Sequence, residues 1–321
     1  MKRLYRFCVC FFLVFILLGC SKKKVSENQV VHIAIQPSAA FIPLYVVRYN
    51  GLLEQALKAK KVDVVWQDFE SGPPMNQSLS AGLSDIGVIG DVPTVTALTR
   101  VVPMKIVGIP ASGADAYAML SRADDSTFNT AADMKGKKIA TVFGSTGHNF
   151  TMKLLANNGL SFDDIDFISI SAGDAQDSLA SGLCDAVVIW EPNVTRLIDS
   201  GIAKLVASGS QTDLRGTNAF VVRSEYLAEH REVIQVILEQ FYNAVKQLDN
   251  LDAQTLQKLS DALEITPSQV QSIIKKYDFS VYVTQKDIAS LQDTVRFLVE
   301  IGNMDVPFNV SAHTENVLQK Q

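Results

Sequence analysis

From residue 31 to about residue 223, short apolar runs rich in Val, Ile and Ala alternate with helix-length amphipathic segments. The pattern predicts strands over Val31–Gln36, Val62–Asp68, Asp85–Ile89 and Met104–Ile109. A second series is expected over Ala116–Ser121, Lys138–Phe143, Asp166–Ser171, Asp185–Trp190, Lys204–Ala207 and Asn218–Arg223. Between them, helices are expected at Pro43–Ala59, Gly147–Asn158 and Asp174–Ser181. Alternation of this kind implies an α/β architecture with parallel sheets and helices on both faces. Beyond Glu225 the period becomes helical, over Val233–Leu248, Ala253–Leu263, Pro267–Tyr277 and Gln285–Ile301, with no further strand of note. Pro267 after Thr266 reads as a first-turn proline behind a capping residue.

An internal echo adds a second level of order. Residues 71–91 and 171–191 share eight of twenty-one positions at an offset of one hundred. The identities are Ser71/Ser171, Ser78/Ser178, Leu79/Leu179, Gly82/Gly182, Leu83/Leu183, Asp85/Asp185, Val88/Val188 and Ile89/Ile189, and Asp91 faces Glu191 conservatively. Each copy reads as loop, short helix, glycine cap, then a buried strand ending in a carboxylate. Ile33-Ala34 and Ile139-Ala140 echo one another upstream. Two copies are too few for a solenoid and suit two similarly built lobes. In open α/β sheets a ligand binds beyond the carboxyl ends of the strands. Two facing lobes would therefore bring the loops 36–41, 72–74, 90–93, 144–148 and 190–192 around one cleft.

The N-terminus is an address rather than part of the fold. Lys2, Arg3 and Arg6 precede an unbroken apolar run, Phe7–Leu18. That run is too short to span a bilayer comfortably and fits the core of a secretory signal. Leu17-Leu18-Gly19-Cys20 resembles a bacterial lipobox, so residues 1–19 are expected to be removed and Cys20 lipidated. The alternative is a retained anchor with Cys20 unmodified. Residues 20–30 read as a flexible tether.

Composition then narrows the function. The 321 residues carry 29 basic and 34 acidic side chains, and the processed chain would carry 26 and 34, or −8. No dense basic stripe follows residue 24, which argues against a nucleic-acid partner. Of four cysteines, Cys184 would remain alone, best read as a small buried thiol.

The candidate chemistry lies in the cleft loops. Gly144-Ser145-Thr146-Gly147-His148 joins a strand to a helix. Close backbone approach, hydroxyls and free N–H groups at the helix start make an anion cradle, although simple helix capping explains the same residues. His148 is either a donor to an oxyanion or an exposed first-turn residue. Trp190 can wall an apolar ligand portion. Glu191 and Asp91 are each either ligand acceptors or helix caps. Gln36 offers an uncharged donor and acceptor, and Gly90 and Pro93 shape the loop at Asp91. The four histidines show no metal-ligand spacing, and no nucleophile elbow is present.

With those residues in hand, the chain resembles the substrate-binding proteins of ABC importers for aliphatic sulfonates, taurine, nitrate and thiamine-precursor pyrimidines. The likeness rests on Pro-Leu-Tyr and Gly-Leu-Leu-Glu at 43–54, Gly72-Pro73-Pro74, the 85–93 and 135–140 segments, the 144–148 loop and 182–192. It implies a two-lobed type II periplasmic-binding-protein fold, each lobe an α/β sheet flanked by helices, joined by two crossovers. Lobe one would comprise 31–113 plus 219–302, lobe two 114–218, and 303–321 a C-terminal tail. It makes Gln36, Gly72, Pro73, Asp91, Ser145, Thr146, His148, Trp190 and Glu191 candidate contacts, with Ser38, Gly90 and Gly144 in the same loops. The implied protein is a monomeric, membrane-anchored receptor, without cofactor or metal, that delivers a small anionic or zwitterionic solute to a permease. An enzyme on the same fold, with His148 and an acid moving protons, and an exported sensor are the alternatives.

Overall fold

The computed structural model describes residues 28–318. The expected signal, Cys20 and most of the tether lie outside them. The strands are β1 Gln29–Ile35, β2 Val62–Asp68, β3 Ile86–Gly90, β4 Met104–Gly108, β5 Ala111–Ser112 and β6 Tyr117–Arg122. They continue with β7 Lys138–Thr141, β8 Asp166–Ser169, β9 Ala186–Trp190, β10 Ala203–Ser208, β11 Asn218–Arg223 and β12 Asp278–Phe279.

Two five-stranded sheets result, in the orders β2-β1-β3-β11-β4 and β10-β6-β9-β7-β8. Read from the other edge, the second sheet matches the first strand for strand: β8, β7, β9, β6 and β10 stand where β2, β1, β3, β11 and β4 stand. The registers agree too, since Ile33 pairs with Ile86 and Ile139 with Ala186. Architecturally, this is the two-lobed binding-protein fold.

The sheets are not wholly parallel, as the alternation implied. β11 runs antiparallel to both β3 and β4, and β6 runs antiparallel to β9 and β10. Each reversed strand is the first after a chain crossover, so it enters its sheet from the opposite end. A third, two-stranded sheet of β5 and β12 ties residues 278–279 to the crossover at 111–112, a strand the helical pattern after residue 225 conceals.

The hundred-residue echo is explained by these twin sheets. Asp85 Oδ2 accepts from the His32 N–H at 2.9 Å, and Asp185 Oδ2 accepts from the Lys138 N–H at 2.8 Å. Each carboxylate thus satisfies the strand beside it, a charge-assisted bond worth roughly 1.5–3 kcal/mol. Gly82 and Gly182 sit at φ of 71° and 73°, the left-handed conformation that ends the preceding helix without a Cβ penalty. Leu79 and Leu179 are fully buried. The shared residues therefore mostly build the lobes.

Helices cover the sheets. α1 Ile42–Tyr49 and α2 Leu52–Lys58 replace the single expected helix, because Gly51 takes a φ of 63° between them. α3 Gly72–Ser80 and α4 Asp91–Leu98 flank the first sheet; α5 Thr146–Asn157, α6 Ala175–Ala180 and α7 Asn193–Asp199 flank the second. The C-terminal helices are α8 Ser224–Glu229, α9 Arg231–Val245, α10 Ala253–Leu263, α11 Pro267–Ile274 and α12 Gln285–Glu300. α9 packs on α1 and α2, and α12 packs on α4, so this half of the chain backs the first sheet. Residues 303–318 dock as well: the Glu315 N–H donates to Ile106 at 2.8 Å and Val310 is buried. Among the described residues, no helix is long and apolar enough to cross a membrane.

Candidate functional site

The carboxyl ends of β1 and β3 face those of β7 and β9, and the loops that follow meet. The Ala39 N–H donates to the Glu191 carbonyl at 3.1 Å. Asn149 Nδ2, on α5, donates to Asp91 Oδ2, on α4, at 2.8 Å. A Cβ added at Gly90 would overlap Thr146 Oγ1, so glycine is what lets β3 approach the start of α5. Gly72 has the same meaning against Pro93, whose Cβ would lie 2.6 Å away.

Two carboxylates lie at the centre, and both are already satisfied. Asp91 is buried; besides Asn149 it accepts from its neighbour's Val92 N–H at 2.7 Å and from Thr294 Oγ1 at 3.2 Å. Desolvation pushes its pKa up, and bonds from Thr146, Asn149, Val92 and Thr294 oppose that. Glu191 is fully buried; it accepts from the Thr195 N–H at 3.0 Å and Thr195 Oγ1 at 2.9 Å, and it pairs with Lys276 Nζ. Each acid thus accepts from an N–H in the first turn of the adjoining helix, Val92 for Asp91 and Thr195 for Glu191, with partners from distant segments added.

The 144–148 loop forms as expected. Gly144 holds a φ of 72°, and Ser145 caps α5, accepting from the His148 N–H at 3.3 Å and donating to the Val142 carbonyl at 2.7 Å. Thr146 is buried between Asp91 and the Tyr117 hydroxyl. His148 is neither an exposed residue nor a cationic donor. It is buried among Phe143, Phe167, Phe162 and Phe297, with ring centroids 5.0–6.1 Å away. Burial pushes its pKa down to about 4, so the ring is neutral, and Nδ1 accepts a long 3.4 Å bond from the Gly144 N–H.

What remains open is neutral. Gln36 Oε1, Trp190 Nε1 and the Tyr277 hydroxyl are buried without hydrogen-bond partners, as are Asn76 Oδ1 and Asn149 Oδ1. Ser38 starts the short helical turn at 39–41, its hydroxyl accepting from the Ala40 N–H, and lies beside Tyr277. Pro73 approaches Gly144 across the interface.

Sequence reasoning missed Tyr117, Asn149, Lys276 and Tyr277. Asn149 was within reach, adjoining the cradle motif. Tyr117 opens the reversed strand β6 opposite Trp190, and burial beside Asp91 raises its hydroxyl's pKa. Lys276 and Tyr277 follow α11, in the half of the chain that carried no cleft signal. Among the described residues, no cluster of three or more His, Cys, Asp or Glu side chains is placed to hold a metal ion.

Comparison with known proteins agrees with this geometry. The NMT1-like family matches residues 24–264, well over half of the chain. A putative aliphatic sulfonates-binding protein of Bacillus subtilis (strain 168) is 28% identical over 312 residues, covering 96% of this chain and 93% of that protein. Its counterpart in Escherichia coli (strain K12) is 30% identical over 220 residues, 68% of this chain and 67% of that one. The alkanesulfonate-binding protein of Xanthomonas axonopodis pv. citri, solved with bound MOPS, superposes with a TM-score of 0.82 at 26% identity, covering 91% of this chain and 99% of that chain. The chain belongs to the NMT1-like family.

Proposed function

We propose that the protein is an extracytoplasmic receptor that captures a small sulfonate between its lobes and hands it to the permease of an importer. In this reading lobe one comprises 31–113 and 219–302, lobe two comprises 114–218, and the protein works as a monomer. A lipid on Cys20 and the tether through residue 30 hold it at the membrane.

The observation that carries the ligand class is the state of the cleft's polar groups. Both central carboxylates are satisfied internally, and the cation Lys276 is spent on Glu191. The groups left over are two donors, the Trp190 indole N–H and the Tyr277 phenol, and three acceptor oxygens on Gln36, Asn76 and Asn149, together with the N-terminus of the twelve-residue helix α5. The two neutral donors and the helix start, with its partial positive charge, suit an oxyanion that stays ionised at any physiological pH, while the amide oxygens suit donors elsewhere on the solute. The chain's acidic balance gives no long-range attraction for such an ion, so recognition is local. The relatives named for sulfonates support the same class. Gln36, Ser38, Gly72, Pro73, Gly90, Asp91, Gly144, Ser145, Thr146, Trp190 and Glu191 form or shape this site, and Tyr277 joins them. Lobe closure excludes water and strengthens each contact.

Calorimetry with methanesulfonate, taurine, nitrate and acetate tests the reading. Sulfonates should bind best, and Trp190→Phe, which removes one N–H donor, should weaken them about tenfold without unfolding the protein. Tighter binding of acetate or nitrate than of any sulfonate would reject the ligand class.

A further inference from the structure

Beside the cleft, between α5 and the C-terminal part of α12, lies a cavity of about 660 Å³. Its walls come from both halves of the structure: Phe143, His148, Asn149 and Met152 from the β7–α5 side, and Phe297 and Ile301 from α12. Phe143 is 52% exposed although its ring lies tilted 5.0 Å from that of His148, so an aromatic surface is presented to the cavity rather than packed away. Four of the rim charges pair off, Lys153 Nζ with Asp213 at 2.6 Å and Arg296 with Asp293, and Glu300 stands beside them. Burial keeps the His148 ring neutral, so no cation lines the interior there. Asn149, only 1% exposed, carries the one polar oxygen of this wall that is buried without a partner, while its Nδ2 reaches Asp91 in the cleft.

Asn149 therefore belongs to both spaces. His148 and Asn149 lie within the first turn of α5 after the Ser145 cap, a rise of about 5 Å along the helix. The cavity falls inside the range of roughly 300–1,000 Å³ typical of sites for drug-sized organic molecules. A molecule of taurine's size would fill little of it. Resting on the sulfonate reading above, we infer that this cavity receives the aromatic group of the solute whose sulfonate is held at the start of α5, making arylsulfonates the preferred class. Because the walls come from α5 and α12 together, an occupant favours the closed arrangement of the lobes.

The test compares naphthalene-2-sulfonate with methanesulfonate by calorimetry on the processed, full-length chain. The naphthyl compound should bind at least tenfold more tightly, as burial of a ring this size implies. Phe297→Ala should bring the two affinities within a factor of about two to three of one another. Phe143→Ala, at a half-exposed position where folding is not at risk, should narrow the gap in the same direction. Equal affinities in the unaltered protein would overturn the inference while leaving the sulfonate reading intact. A naphthyl preference untouched by either substitution would overturn the cavity as its cause. Failure of both sulfonates to bind would instead refute the reading of the cleft, and this inference with it.

Discussion

The neutral histidine in the phenylalanine cluster gives a prediction whose sign and size follow from one number. Burial moves the His148 pKa from its ordinary 6.5 to about 4. Between those values the unfolded chain binds a proton that the folded protein refuses. Stability from this residue is therefore complete above pH 6.5, falls as the solution is acidified through that window, and stops falling near the folded value. Integrating the linkage relation gives a loss of about 1.4 kcal/mol at about pH 5.5 and about 2.5 kcal/mol at about pH 4.5. Carboxylates titrate in the same range, so the measurement has to be a difference. Urea unfolding would be followed at several pH values for the wild-type protein and for His148→Gln, which has no titrating group but keeps an acceptor for the Gly144 N–H. The variant starts less stable, yet its stability should decline less steeply, the gap shrinking by about 2.5 kcal/mol between about pH 7 and pH 4.5. Proton NMR reads the same quantity directly, since the imidazole signal missing from the variant should stay at its neutral position to about pH 5. A midpoint near 6.5 for that signal, or parallel pH profiles for the two proteins, would show that the ring is solvated and that the cluster does not close around it.

Two further outcomes follow from the interlobe contact and the N-terminus. Gly90→Ala should weaken solute binding by roughly five- to a hundredfold, the range expected when a methyl is forced into a tight contact, because its Cβ would overlap Thr146 Oγ1 where β3 meets the start of α5. Thr146→Ala in the same chain should recover part of that loss relative to Thr146→Ala alone, as calorimetry of all four proteins would reveal; strict additivity would contradict the contact. For the address, Cys20→Ala should release the protein from the membrane fraction or leave it unprocessed, and mass spectrometry should lose the acyl increment. Unchanged membrane association of a processed variant would rule out the lipid.

Much of the fold was legible in the chain because its signals are local. β2, β11 and α10 fall where alternation and period place them, and the glycine-capped turns at 82 and 182 follow from the only residue that takes a positive φ there cheaply. The echo correctly implied twin lobes, since a strand and the carboxylate that satisfies its neighbour lie within one short segment. Other features were invisible because they depend on where the chain goes next. Reversal of β6 and β11 is set by the crossovers, and no property of either strand's own residues announces it.

The candidate site divides in the same way. Sequence alone determined the loops that meet and the cap at Ser145, because loop position follows from strand order and capping is a matter of three residues. Tertiary structure decided the rest. Whether Asp91, Glu191 and His148 are free to meet a ligand depends on Asn149, Thr294, Lys276 and the phenylalanines brought to them from up to two hundred residues away. Whether a polar side chain stays unpartnered is a property of its surroundings, and only the folded chain supplies those.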